Sequence, residues 1–169
     1  MATKAEHNHL DRAHFNNFKK HIPGYKKKYD EAIEWLLGIG GIQVSTTFEH
    51  ALAHKGGHVV ISEDHADLSN GADAKLSSTR WCSNGASYSA PVTNIHGKTG
   101  NLLVQVYERQ LSEYYLFKIP HSEYKDIPKS SNIEIPFESN GTPRVEPVGN
   151  RKYANWWDYQ VKSFKELAK

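Results

Sequence analysis

The segment Leu102-Leu103-Val104-Gln105-Val106 constrains the fold most. Its apolar residues fall on both alternating faces, so it reads as a central strand buried on both sides. Asn101 to Arg109 and Glu113 to Ile119 then form a hairpin around it, and His58 to Ser62 with Ala72 to Ser78 form another. Asn132 to Phe137 reads as a short edge strand, because Pro136 has no N–H to donate to a ladder.

Helical patterns flank this β-rich middle. Asp11 to Lys20 is expected to be a short helix closed by Ile22-Pro23-Gly24. Tyr25, Tyr29, Ala32, Ile33 and Leu36 recur at helical spacing, ended by Gly38, Gly40 and Gly41. Thr46-Thr47-Phe48-Glu49 resembles a capping box opening a third helix through Ala53, with Gly56-Gly57 after it. Ser139 to Asn150 is expected to be loop, and Asn155 to Leu167 a closing helix that puts Trp156-Trp157 in a core or dimer contact. The fold class is α/β, in a single domain of 169 residues without repeat or linker.

Composition narrows the classes. Hydrophobic residues at 38% and charged residues at 24% suit a soluble folded chain. One cysteine, Cys82, excludes an internal disulfide and fits a reducing cytoplasm. No apolar run reaches the ~20 residues of a membrane span, and the polar start Met1 to His9 does not read as a signal peptide. No membrane partner is expected. A net charge of +2 permits nucleic-acid binding without arguing for it. Phosphate-cradling GxxxxGK[ST], GxGxxG and GxSxG motifs are missing.

The chemistry-bearing stretch runs from Glu63 to Ser77. Asp73 and Lys75, at i and i+2 of a strand, project from one face. A hairpin turning at Asn70-Gly71 would pair Leu68 with Asp73 and carry Asp64 opposite Ser77 on that face. Asp64 and Asp73, with the Ala74 carbonyl between them, could then hold a divalent cation, as Mg²⁺ prefers a few carboxylates plus water and phosphate oxygens. Lys75 would offset the repulsion of the acids and meet a scissile phosphate. Asp67 rivals Asp64, since a three-residue turn would set it opposite Lys75; its plainer role is a turn carboxylate bonding local N–H groups. An Asp-x-Lys triplet is otherwise a solvated strand face. Glu49 is a possible supporting acid beside its capping role.

These residues resemble the PD-(D/E)XK motif of type II restriction endonucleases, in particular their small PvuII-like members. Ala90-Pro91-Val92, the strand ending Val106-Tyr107-Glu108-Arg109, and Tyr115-Leu116-Phe117-Lys118-Ile119-Pro120 leading into a helix-like His121 to Asp126 continue the similarity over about residues 58–127. The resemblance implies a mixed β-sheet flanked by helices, a homodimer, Mg²⁺ dependence and cleavage of double-stranded DNA at a short palindrome. On it, residues 1–57 would be a helical, dimer-forming part, 58–127 the catalytic core and 128–169 a C-terminal loop and helix. Asp64, Asp73 and Lys75 would be catalytic, with Asp64, Asp73 and Ala74 on the metal. Asp73 stands where PvuII-like members carry Glu, which shortens the reach to the metal. Their histidine-rich recognition segment is replaced by Ser78 to Tyr88. There Ser78, Arg80 and Asn84 are the candidate DNA contacts, Arg suiting guanine and Asn adenine in the major groove. Lys26-Lys27-Lys28 could add backbone contacts.

Two other classes compete. Ten histidines, with His50 and His54 at i and i+4, could serve a histidine-based nuclease or toxin, though no third ligand shows a recognisable spacing. A non-catalytic DNA-binding module of the same fold is the other, disfavoured because acids facing phosphates weaken binding unless a cation intervenes. The nuclease reading expects Asp64→Ala, Asp73→Ala and Lys75→Ala each to abolish cleavage and leave the fold intact.

Overall fold

The structure, a computed structural model, describes Lys27, Glu31, Glu34, Ile42, Gln43, residues 45–145 and residues 155–169. The expected helix Asp11 to Lys20 lies outside these residues. Of the helix expected after Tyr25, Lys27, Glu31 and Glu34 are described and helical. Glu34 ion-pairs with Lys55.

Helix α1, Ser45–Gly56, starts before Thr46, so Thr46 is an internal helical position and not the N-cap expected for a capping box. Phe48, Ala51 and Leu52, at i, i+3 and i+4, are buried on one face. Gly57, at φ +72°, ends the helix, while the N–H of His58 bonds to the Ala53 carbonyl at 2.8 Å and that of Gly57 to His54 at 3.4 Å. That pair of bonds is a Schellman stop. At Gly56 an added Cβ would lie 2.0 Å from the Ala168 carbonyl oxygen, so only glycine lets the chain's last helix come this close.

Strands β1, Val60–Glu63, and β2, Ala66–Leu68, pair antiparallel around a turn at Asp64-His65. Strand β3, Asp73–Ser78, does not fold back on β1 as the Asn70-Gly71 turn suggested. It pairs parallel with β6, Leu102–Glu108, from Asp73↔Leu102 to Ser78↔Tyr107. The reason lies in β6. Leu102, Leu103, Val104 and Val106 are all buried, so both edges of this strand need partners for their backbone groups. Strand β7, Glu113–Ile119, satisfies one edge, and β3 takes the other. The turn itself forms, with Gly71 at φ +86° and its N–H on the Leu68 carbonyl, but it redirects the chain instead of closing a hairpin. Asp64 is therefore not carried opposite Ser77.

The expected β6–β7 hairpin is present, and the short β9, Gln160–Val161, extends the sheet to the order β3-β6-β7-β9. Strands β4, Arg80–Trp81, β5, Tyr88–Val92, and β8, Ile133–Phe137, form a second, antiparallel sheet with β8 at its edge as Pro136 required. One face of β6 packs Val104 and Val106 with Phe117, Ile135 and Trp157; the other packs Leu103 with Leu52 of α1 and Leu167. The described residues form a mixed α/β structure of several small sheets and few helices.

The C-terminal segment departs from one helix. Trp156–Tyr159 is a 3₁₀ turn, β9 follows, and a short helix spans Phe164–Ala168. Adjacent Trp156 and Trp157 are both buried, which a helix packed on one face cannot easily arrange. The Trp157 indole N–H donates to the Pro136 carbonyl at 2.8 Å, fixing the turn on β8. Ser163 then caps the final helix by accepting from the Glu166 N–H at 3.1 Å. Between β7 and β8, residues His121–Tyr124 form the helical turn α2 expected there.

Candidate functional site

Asp73 opens β3 and is buried, at 1% side-chain exposure. Its N–H is tied to the Asn101 carbonyl at 2.9 Å, which fixes the strand start beside β6. Lys75, two residues on, places its ammonium 2.7 Å from Asp73 Oδ2, as the strand period requires. A second ammonium, from Lys98 in the loop before β6, stands 2.9 Å from Asp73 Oδ1. The same Lys98 Nζ donates to the main-chain carbonyl of Asp64 at 2.7 Å. Both lysines are largely shielded, at 17% and 15% exposure. Asp73 thus carries one negative charge between two positive ones. Among the described residues neither of its oxygens receives a well-directed hydrogen bond, so the ammonium groups are its partners.

Asp64 itself sits at the exposed turn between β1 and β2 and reaches the cluster through its backbone. The Asp67 carboxylate accepts the Ala74 N–H at 2.9 Å, the local role foreseen for it. The Asp73 N–H bonds to Asn101, just before β6, and the Thr79 N–H to Tyr107 of β6, so Ala74, of the opposite parity, turns its N–H and C=O to the outer edge of β3, beside Asp67. Tyr124 closes the inner side. Burial, and then the Asp73 charge, push its hydroxyl up to about 12, and it donates to the Gly100 carbonyl at 2.5 Å.

A cavity of about 360 Å³ adjoins the cluster, lined by Lys98, Tyr124, His96, His121, Lys125 and Lys129 among others. Among the described residues Asp126 is the one acid in its lining, against Lys98, Lys125 and Lys129, so the cavity favours an anion.

In the segment from Ser78 to Tyr88, Ser78 ends β3 and the rest forms the β4–β5 hairpin, in register Arg80↔Ser89 and Trp81↔Tyr88. Ser78 and Arg80 border a cleft of about 800 Å³ that also meets Arg109, Tyr107, Tyr114 and Gln43. Among the described residues no carboxylate lines this cleft, and neither Asp73 nor Lys75 does. Arg109 donates to Ser78 Oγ at 2.9 Å, and Arg80 pairs with Glu134 at 3.2 Å. Asn84 lies at the exposed hairpin tip, where its side chain accepts the Ala86 N–H at 3.0 Å, apart from the cleft.

Beneath the hairpin lies Glu108, fully buried at the end of β6. Burial alone would raise its pKa, but the Tyr88 hydroxyl at 2.7 Å and the N–H groups of Leu111 and Gln110 outweigh that and hold it below the ordinary value. Thr79 and Tyr88 of the hairpin both meet this anchor.

Sequence reasoning thus found Asp73 and Lys75 as a pair, and Ser78 with Arg80 at one cleft. It missed Lys98, Arg109 and Glu108. Lys98 lies in Gly97-Lys98-Thr99-Gly100, a loop with no periodicity to announce where its side chain goes. His50 is buried in α1 and His54 half-buried, and no group of three or more His, Cys, Asp or Glu side chains among the described residues is placed to hold a metal. No helix among them is long and apolar enough to cross a membrane. The chain matches no protein-family model, no curated protein and no solved structure.

Proposed function

We propose that the protein is a Mg²⁺-dependent endonuclease acting on double-stranded DNA, of the type II restriction kind and working as a homodimer. The observation that carries this reading is the buried Asp73 carboxylate with Lys75 on the same strand face, beside an outward-facing main-chain carbonyl. The donors at hand are a carboxylate, the Ala74 and Asp64 carbonyls and the carboxylate of Asp67, all hard oxygens of the kind Mg²⁺ takes. Both Asp73 oxygens are buried and each already faces a lysine ammonium, so an added cation would have to share the carboxylate with Lys75 and Lys98. When bound, the ion supplies Lewis-acid shielding of the phosphate. Lys75 offsets charge at the attacked group, and the basic cavity beside Lys98 suits the neighbouring backbone phosphate. Ser78, Arg80 and Arg109 line the cleft that would lie against the bases or backbone.

One observation favours a second reading. Asp73 is already neutralised by two lysines, and a site with that surplus of positive charge could bind a DNA phosphate without cleaving it. Incubation with long duplex DNA and Mg²⁺ separates the two. Discrete fragments support the restriction enzyme, a smear indicates a nuclease without sequence preference, and bound but intact DNA supports the binding module.

A further inference from the structure

We infer that the cleft of about 800 Å³ binds an unpaired nucleotide, its base against Tyr107 and Tyr114 and its phosphate on Arg109. This deepens the DNA-contact role proposed for Ser78 and Arg80, and it does not depend on cleavage at Asp73. Strand register separates the cleft from the Asp73 cluster. Side chains alternate across a strand, so Leu76 and Ser78 project from the face of β3 opposite to Asp73 and Lys75. Through the pairs Ser78↔Tyr107 and Tyr107↔Tyr114, both tyrosines share the Ser78 face. Leu76 packs there with the α1 core, whereas Asp73 acts on Tyr124 of the other core. The cleft therefore lies across the sheet from Asp73 and reaches round the open edge of β3 to Ser77.

The lining sets the chemistry of the ligand. Tyr107 and Tyr114 are half-buried, with ring centroids 5.0 Å apart and planes inclined by 36°, and make a small aromatic floor. Gln43 steadies the second ring, its amide donating to the Tyr114 hydroxyl at 2.7 Å. Arg109 is exposed, gives one N–H to Ser78 Oγ and has no carboxylate partner among the described residues, so most of its donor fork is left for an anion. With no acid among the described lining residues, nothing there repels a phosphate. The volume falls in the range of small-ligand sites, roughly 300–1,000 Å³. Aromatic rings beside a free guanidinium suit a base joined to a phosphate. A base inside a duplex has both faces covered by its neighbours, so the ligand must be unpaired, in a single strand or as a free mononucleotide. Gln105 at the floor already exchanges hydrogen bonds with the N–H and C=O of Ile42, which leaves stacking and charge, and hence little base preference, as the mode of binding.

Fluorescence anisotropy of the full-length protein in EDTA, with a short labelled single-stranded oligodeoxynucleotide and an abasic strand of equal length and charge, tests this. The wild type is expected to prefer the base-bearing strand by about fivefold or more, the low end of stacking on an aromatic side chain. Tyr107→Leu and Tyr114→Leu should each shrink that preference, and together remove it. Arg109→Gln should weaken binding of both strands and lower the log–log salt slope by about 0.7, one phosphate contact. Displacement of the strand by dAMP assigns the cleft to mononucleotides as well; displacement by unlabelled strand alone assigns it to a chain. Equal affinity for the two strands, or a preference untouched by the tyrosine variants, overturns the proposal. Should those variants fail to fold, unchanged affinity and salt slope in Arg109→Gln overturn it as well. Duplex cleavage in Mg²⁺ is read separately. Discrete fragments without tyrosine-dependent single-strand binding remove this site alone, and intact duplex alongside such binding removes the nuclease reading alone.

Discussion

Removing the Asp73 side chain should destabilise the fold as well as any activity, contrary to the expectation from sequence that the fold stays intact. Asp73→Ala leaves two ammonium groups with 17% and 15% exposure facing a small cavity. Deleting one partner of a buried ion pair typically costs about 3–5 kcal/mol, because the remaining charge is left without compensation. Here two cations are stranded, but both have long stems that can carry the charge toward solvent. That relief lowers the expected cost to about 2–4 kcal/mol.

The assay is urea denaturation of wild type, Asp73→Ala, Lys98→Met and the double variant, followed by tryptophan fluorescence. If stranded charge is the cause, adding Lys98→Met to Asp73→Ala should recover about 1 kcal/mol, giving a non-additive cycle. A midpoint for Asp73→Ala within about 0.5 kcal/mol of wild type, or strict additivity, would refute the ion triad as drawn. The practical corollary is that loss of cleavage by Asp73→Ala is informative only alongside a stability measurement, whereas Lys75→Met, which leaves Lys98 on the carboxylate, is the cleaner activity probe.

Gly141→Ala should cost about 2–4 kcal/mol, because φ is +90° and a Cβ would stand 2.7 Å from the Glu108 carboxylate; chemical denaturation would show it. Glu108 itself makes stability acid-sensitive. Its depressed pKa means the stabilisation is present above the ordinary glutamate value of about 4.3 and is lost as pH falls through the lower folded value. Glu108→Gln should therefore flatten the denaturation midpoint against pH in that acid range, and an unchanged slope would remove Glu108 as its source. Phe117→Ala, at a fully buried ring 5.0 Å from Trp157, should cost about 3–5 kcal/mol and alter the tryptophan emission. Arg80→Ala should weaken DNA binding by about 1–3 kcal/mol if the guanidinium reads a base; because Glu134 competes for it, Glu134→Gln should act in the opposite direction.

The β6–β7 hairpin was legible because β6 is a near-continuous apolar run, as a strand buried on both faces should be, and β7 follows it directly in the chain. The partner of β3 was not. Asn70-Gly71 is a good local turn signal, and locally it does turn; what decides the pairing is that β6, far along the chain, has an unsatisfied edge once its faces are buried. The closing helix failed for a similar reason. Helical spacing of Trp156, Tyr159 and Phe164 describes one face, but Trp157 has its own hydrogen bond to Pro136 on β8, and that bond favours a tight turn and an extended step over a continued helix.

The same distinction bears on the site. Asp-x-Lys on an exposed strand would be two solvated charges, and that plain outcome predicts an accessible Asp73. The structure instead holds the carboxylate at 1% exposure with two largely shielded lysines. Desolvating three charges is expensive, and a strand needing only to pack against Val104 and Tyr124 would be served as well or better by apolar residues of similar volume. A polar cluster that stability alone does not require, set at a sheet edge beside a basic cavity, is where chemistry is reasonably sought. That argument attaches to the cluster and not to the motif. It would hold equally for a chain with a different spacing, and it makes Lys98, which no motif contains, as much a part of the question as Lys75.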